Sequence, residues 1–288
     1  MASLRDIRTR IASVKSTKQI TSAMKMVSAA KLRRATEAAT SARPYQETLT
    51  ATLRRVASAA GDEIEHPLLT SRPSVKKVLV IVVTSDRGLC GGFNSTPNRR
   101  VEDFIKKHRH EGHEVSVRTY GRKARDYFKA RGFPSDTAKT DMNKGRYAEE
   151  AAALAAALTE QFTAGGFDEA WIAFNKFKSV LAQIPTFTRV LPLSIEGGDA
   201  GAASADYIYE PNGAQLLGAL LPMYLRTLLL QAFLETEAGE HAARMTAMDN
   251  ATRNASDLIA ALTLEYNRGR QAAITKELIE IVSGAEAL

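Results

Sequence analysis

The residues of this chain best placed to do chemistry are a glycine-rich run and a group of three histidines. The run is Ser85-Asp86-Arg87-Gly88-Leu89-Cys90-Gly91-Gly92-Phe93-Asn94, and the histidines are His108, His110 and His113. A glycine-rich turn between a strand and a helix can hold phosphate on its backbone N–H groups. The spacing here is not the G-x-G-x-x-G of a dinucleotide fingerprint, and no G-x-x-x-x-G-K-[ST] run occurs anywhere in the chain. The run therefore reads as a tight turn with close strand–helix packing in preference to a phosphate site. The histidines have Arg109 among them and no cysteine near, which favours the solvated end of a basic helix over a metal centre. No nucleophile–base arrangement and no paired-carboxylate site is recognisable.

The elements that must position these residues are legible on either side. Residues 61–74, with Pro67 and Pro73, form a connector. Val75 to Thr84 is a β-branched run that reads as a buried strand opening into the glycine-rich turn. A helix is expected over about 96–110, a strand over Val115 to Tyr120, and a helix over about 121–131. An alanine-rich helix over Ala148 to Thr163 and strands over Glu169 to Lys178 and Ile184 to Ile195 complete the set. Strands alternating with helices imply a small, mostly parallel α/β sheet. Glu196 to Ala205 reads as a flexible loop leading toward the last helix.

The ends of the chain are different. The first 43 residues contain neither proline nor glycine, and the last 66, after Pro222, contain no proline, so both ends read as very long helices. Toward the C-terminus, Met245, Met248, Thr252, Ala255, Ile259, Leu262, Tyr266, Gly269 and Ala273 recur at alternating spacings of three and four. That is a coiled-coil seam held for about four heptads. Leu4, Ile7, Ile11 and Val14 repeat the spacing at the N-terminus. The apolar stripe then moves roughly half a turn, to Ile20, Met24 and Val27, while the original face continues as Lys18, Ser22, Lys25 and Ala29. A helix that changes its apolar face is touched from more than one side.

Length argues that the hairpin reaches beyond its own domain. Helices of roughly 55 and 75 residues span about 80 Å and over 110 Å, against about 30–40 Å for a compact domain of some 150 residues. Paired antiparallel, the C-terminal helix outlasts its partner by about 20 residues on the same arithmetic. Its tip carries Ile274, Leu278, Ile279, Ile281 and Val282, too apolar to be left in water alone.

Composition sets bounds. A chain of 288 residues with 44% apolar content can bury an ample core. Its one cysteine, Cys90, precludes an intramolecular disulfide. Met1 to Arg10 lacks the apolar region of a secretory signal, and Asp6 argues against a transit peptide. Leu216 to Leu234 is leucine-rich, but Pro222 and Arg226 interrupt it and its longest uncharged run, Pro211 to Leu225, is 15 residues. A membrane span needs about 20, and a central arginine costs roughly 2.5–3.5 kcal/mol. The segment is read as a helix buried on several sides by protein. The net charge of +7 is unevenly spread: residues 1–58 carry 12 Lys/Arg against 3 Asp/Glu, and residues 209–288 carry 6 against 10. The two terminal helices are thus plausible partners, with positive surface left for an acidic third party.

Leu4-Arg5-Asp6-Ile7 through Ile11-Ala12-Ser13-Val14-Lys15, and Gln19-Ile20-Thr21-Ser22-Ala23-Met24-Lys25-Met26-Val27, resemble the N-terminal signature of the γ subunits of F-type ATP synthases. Ala242-Ala243-Arg244-Met245-Thr246-Ala247-Met248 resembles the family's C-terminal region. So does Tyr266-Asn267-Arg268-Gly269-Arg270-Gln271-Ala272-Ala273-Ile274-Thr275-Lys276-Glu277-Leu278, with Glu280-Ile281-Val282-Ser283-Gly284. The Ser85 to Asn94 turn also matches, so the resemblance covers essentially the whole chain.

The resemblance implies an α + α/β architecture: a long antiparallel coiled coil of the terminal helices with a small Rossmann-like α/β domain inserted. The expected segments are 1–60, 61–208 and 209–288. It implies a central rotor shaft that carries torque between the membrane c-subunit ring and the catalytic β subunits during ATP synthesis. The α and β subunits, an ε subunit and the c ring would be partners, with membrane contact only through the c ring and no nucleic acid. Nucleotide chemistry would belong to the β subunits, leaving this chain non-catalytic and without cofactor or metal. Position by position, Met24, Lys25 and Arg244 would face the β levers. Arg270, Gln271 and Thr275 would make hydrogen bonds higher in the ring, and Ile274, Leu278, Ile281 and Val282 would enter its apolar sleeve. The competing assignments are a hairpin seam position for Met24 and solvated helix polarity for Arg270 and Gln271. Plant chloroplast members carry a cysteine-bearing insert, so with Cys90 alone no thiol switch is expected. The expected location is peripheral, on the cytoplasmic face of a bacterial inner membrane. The rival class is a nucleic-acid-binding protein with a basic helical arm, which predicts a steep salt dependence of binding. Its arginines and lysines form no continuous stripe with interleaved aromatics.

Overall fold

The computed structural model describes residues 3–60, 66–133, 135–141, 146–194 and 212–286. The expected loop at Glu196 to Ala205 and the first part of the connector lie outside the described residues. The element order is α1 (Leu4–Ala60), β1 (Lys77–Val83), α2 (Ser95–His110), β2 (Glu114–Tyr120), α3 (Arg122–Lys129), β3 (Ser135–Lys139), α4 (Tyr147–Thr163), β4 (Glu169–Phe177), β5 (Gln183–Leu191) and α5 (Gly213–Glu286). The helix α1 runs through Pro44 and α5 through Pro222.

The five strands form one sheet in the order β3-β2-β1-β4-β5. All neighbours are parallel except β4 and β5, which pair antiparallel. In the middle strand every residue after Lys77 is buried, as a parallel strand covered on both faces requires. Its side chains divide by alternation. Leu79, Ile81 and Val83 enter a core shared with α1, α4 and α5, and Val78, Val80 and Val82 enter a second core with α2 and α3.

The edge strand β3, of sequence SDTAK, was not predicted. It lacks the β-branched or aromatic run that marks a buried strand, and it is held by backbone pairing to β2 and by the Ser135 hydroxyl, which accepts the Thr119 N–H.

The chain divides into two compact units. One comprises Ala30–Ala243, and the other Met1–Ala29 together with Arg244–Leu288. Both α1 and α5 contribute a stretch to each. Within the larger unit, α5 places Leu217, Leu221, Leu225, Leu229 and Phe233 in the core at near-fourfold spacing, beside Leu53 and Val56 of α1. By composition α5 contains an 18-residue window apolar enough to cross a membrane (mean hydropathy 1.5). Leu216, Leu220, Tyr224, Leu228 and Leu230 pack against the same core, so the leucine-rich segment is a core helix, with Arg226 exposed.

Candidate functional site

Within the smaller unit the two helices pair antiparallel. A Cβ built on Gly269 would lie 3.1 Å from the Leu4 Cδ2 methyl. The Arg8 guanidinium donates to the Tyr266 hydroxyl, the hydroxyls of Thr21 and Thr252 meet at 2.8 Å, and Lys25 Nζ lies 2.6 Å from Asp249 Oδ1. Each advance along α1 is matched to within one residue by a retreat along α5, which defines one register. The hydrogen bond from Lys25 is the main cause holding the Asp249 carboxyl below the usual range, with Arg253 at 3.0 Å adding to it.

The seam predicted on α5, from Met245 to Ala273, matches the positions that are buried or half-buried. On α1 one correction is needed. The face that continues from Leu4, Ile7, Ile11 and Val14 buries Thr21 and Ser28, each one residue before the expected Ser22 and Ala29. Strict alternation of three and four residues selects these positions, and the Thr21–Thr252 pair anchors them. Of the displaced stripe, Ile20 and Val27 are each 57% exposed while Met24 is half-buried, and Met26, at 66%, adds to the open apolar surface.

Past Gly269 the register leaves α5 without α1 residues opposite it among the described residues, and the helix continues to Glu286. In that stretch Arg270, Gln271 and Thr275 are exposed. Ile274, Leu278, Ile279, Ile281 and Val282 are between 48% and 68% exposed, an apolar end that also carries the Lys276–Glu280 ion pair at 3.5 Å. Of the other candidate contact residues, Met24 is half-buried, Lys25 is engaged by Asp249 and Arg244 is buried.

The glycine-rich turn belongs to the larger unit. It leaves the carboxyl end of β1, which stands between β2, reached through α2, and β4, reached from β3 through α4; such a reversal of strand order is where open α/β sheets bind ligands. In this chain the turn is tied to its own fold. Ser85 donates its N–H and its hydroxyl to Asn94 Oδ1, each at 3.0 Å, Asp86 accepts the Arg122 N–H at 2.8 Å, and Asn175 Nδ2 donates to the Phe93 carbonyl at 2.7 Å. The Phe93 ring presses on α5 so closely that a Cβ at Gly239 would sit 2.9 Å from Cε2. The crevice that remains is lined by Thr84, Asp86, Tyr147, Phe233, Glu237 and Glu240 and holds only about 10 Å³, room for one water. Burial, then the neighbouring Glu240, pushes the Glu237 carboxyl up, and burial likewise raises the Tyr147 phenol. The geometry is that of the packing turn anticipated from the spacing.

The histidines depart from the expected solvated helix end. His108 and His113 are half-buried, with their Nδ1 atoms 2.8 Å apart and Glu111 Oε2 beside both, while His110 is exposed and outside the group. The signal was the spacing from His108 to His113 across Gly112, which suits a helix-ending turn.

A family described as ATP synthase matches residues 3–288. The chain is 49% identical to the ATP synthase gamma chain of Anaeromyxobacter dehalogenans and 48% identical to that of Pelotomaculum thermopropionicum, in each case over 100% of both chains. Its fold is similar to a chain of the Euglena gracilis mitochondrial ATP synthase (OSCP/F1/c-ring, rotational state 3), with a TM-score of 0.66 at 22% identity, over 99% of this chain and 94% of that one. A chain from the Tetrahymena thermophila mitochondrial ATP synthase central stalk and c ring gives a TM-score of 0.61 at 23% identity, over 81% of this chain and 99% of that one. By its sequence over the whole length, the chain falls in the class of ATP synthase subunits. The chain belongs to the ATP synthase gamma-chain family.

Proposed function

We infer that this chain is the central rotor shaft of an F-type, proton-translocating ATP synthase. It is a non-catalytic subunit of that membrane-associated complex and carries torque between a c-subunit ring and a surrounding set of α and β subunits. Catalysis takes place on the β subunits. The complex sits with this chain on the cytoplasmic face of a bacterial inner membrane, touching lipid only through the c ring, with an ε subunit beside the α/β unit. The observation that carries the reading is the apolar end of α5: five large aliphatic side chains stand open to water beyond Gly269, which calls for an enclosing apolar sleeve. A coiled coil suits a torque-bearing element because twisting it must unpack its seam. Arg270, Gln271 and Thr275 make the polar contacts at the ring's upper part, and Met24, Lys25 and Arg244 meet the β levers.

The test has two arms. A pull-down on the full chain from detergent-solubilised membranes is expected to recover nucleotide-binding α and β subunits, and their absence sinks the reading. The double variant Leu278→Asp/Ile281→Asp is expected to keep the circular dichroism and melting temperature of the isolated chain while losing assembly with α and β. Normal assembly of that variant removes the sleeve from the proposal. Arg244→Glu separates two roles for a buried arginine. Loss of coupling with an unchanged melt marks a torque contact, and a lowered melt marks a structural one.

A further inference from the structure

We propose that the corner between α2 and β2 is a binding site for one divalent transition-metal ion of the Zn²⁺ class, held by His108 Nδ1, His113 Nδ1 and a Glu111 carboxylate oxygen. A fourth position is left to water.

The backbone builds the site before any ion is considered. α2 ends in a closing turn in which the His113 N–H donates to the His108 carbonyl at 2.9 Å and the Gly112 N–H donates to the Arg109 carbonyl at 3.1 Å. Gly112, at φ +87°, supplies the left-handed residue that such a turn requires. In this motif the first and last residues usually touch through apolar side chains. Here both are histidines, and the residue between the helix and Gly112 is Glu111. The pairing of the two imidazoles is therefore set by the same hydrogen bond that ends the helix. From the other side, the His108 ring lies tilted against Phe104 with centroids 4.0 Å apart, and Phe104 packs in turn on Trp171 and Phe187. One ligand is thus fixed by packing and the other by the turn, as a preorganised site requires.

The distances select the ion. The three ligand atoms are separated by 2.8 Å (His108–His113), 3.5 Å (His108–Glu111) and 3.8 Å (His113–Glu111). A tetrahedral ion with bonds of about 2.0–2.1 Å needs its ligands roughly 3.3 Å apart, close to the mean of these values. The in-plane point equidistant from the three atoms lies about 2.0 Å from each, so an ion about 2.1 Å from all three stands just out of that plane and asks the 2.8 Å His108–His113 pair to open slightly. Two imidazoles and one carboxylate suit Zn²⁺, Ni²⁺ or Cu²⁺, whereas Mg²⁺ and Ca²⁺ call for all-oxygen shells. Three protein ligands with an open fourth position form a site that an ion can enter from solvent. A bound ion would tie the last turn of α2 to His113, the residue that leads into β2. The inference is independent of the rotor reading.

The test uses the full chain, stripped with chelator and titrated with ZnCl₂ by calorimetry. Emission of Trp171, the only tryptophan, serves as a second probe because its ring touches the Phe104 that backs His108. One ion per chain is expected, together with a melting temperature raised by a few degrees in excess Zn²⁺. His113→Gln is expected to weaken binding at least about tenfold, and Glu111→Gln to weaken it less. His110→Gln, at the same helix end but outside the group, should bind as the parent does. Circular dichroism of the metal-free variants checks that each is folded. If His108→Gln unfolds, His113→Gln and Glu111→Gln still decide the matter. Co²⁺ substitution adds a spectroscopic check, since a four-coordinate site gives intense visible bands that His113→Gln should abolish. The proposal is overturned if the parent chain binds no Zn²⁺, or if folded His113→Gln binds it as tightly. In those cases the histidines form a hydrogen-bonded pair bridged by Glu111 and nothing more.

Discussion

The same two helices are built on opposite principles in the two units. In the larger unit α5 buries a leucine at nearly every fourth position and a phenylalanine besides, against the sheet and Leu53 and Val56 of α1. In the smaller unit the buried side chains are few: Ile7, Thr21 and Ser28 on one helix, and Arg244, Met248, Ala255 and Leu262 on the other, joined by a hydroxyl pair and an ion pair. The larger unit turns most of its apolar residues inward, with Leu89 and Leu181 among the exceptions. The smaller one turns a good share of its own outward, at Ile20, Met26 and Val27 and at the end of α5. The contrast teaches that helix continuity is no guide to where stability resides: one part of each helix is core, and the rest is surface awaiting other molecules.

That contrast can be broken most forcefully in the core. Leu225→Ala, at a fully buried position, is expected to cost about 2–5 kcal/mol in denaturant unfolding, whereas Leu278→Ala at the open end of α5 should change the isolated chain by no more than about 0.5 kcal/mol. Equal losses would mean that the end of α5 is covered by its own chain. Two glycines sharpen the comparison. Gly239→Ala gains helix propensity of about 0.5–1 kcal/mol but drives a methyl into the Phe93 ring, an overpacking cost of about 1–3 kcal/mol, so a net loss is expected in thermal melts. At Gly269 the near atom is the end of Leu4, which can swing aside, and Gly269→Ala should be neutral or mildly stabilising.

Smaller effects follow from charge. The Glu237 carboxyl is pushed above its ordinary value, chiefly by burial. A raised folded value favours the protonated native state, so stability from this group is present below the unfolded value and is lost as pH rises through the folded one. Glu237→Gln is therefore expected to melt higher than the parent at neutral pH, with the gain vanishing near pH 4, as a series of melts would record. The smallest shift belongs to Lys25–Asp249, whose side chains are 45% and 34% exposed. Lys25→Met should lower the melting temperature by no more than about a degree, and less in 1 M salt. Asp249, held below its ordinary range, contributes above the unfolded value and ceases to do so as pH falls through its folded one.

Much of the seam was legible because a repeat of three and four residues is a property of sequence: every position assigned on α5 from Met245 to Ala273 is withdrawn from solvent. The slip on α1, from Ser22 and Ala29 to Thr21 and Ser28, occurred where polar and small residues on both faces blur the stripe. β3 was missed because an edge strand needs no apolar run. The antiparallel direction of β5 had a readable sign, since the few residues between Phe177 and Gln183 are too short for a parallel crossover. The pairing of His108 with His113 depends on a positive φ at Gly112, which spacing suggests but only backbone geometry establishes.

What the sequence determined by itself is the set of elements: long helices free of breakers at both ends, a β-branched central strand, and a glycine-rich turn lacking the spacing of a phosphate loop. These are local, because propensity and periodicity act over a few residues. What only the tertiary structure decided is how they are used. It set how much of α1 and α5 becomes core, that Phe93 is seated on Gly239, that Lys25 is taken by Asp249, and that two histidines and a glutamate converge. Each of these joins residues brought together by closure of a turn or by packing across long stretches of chain, and no local rule specifies which distant atoms will meet.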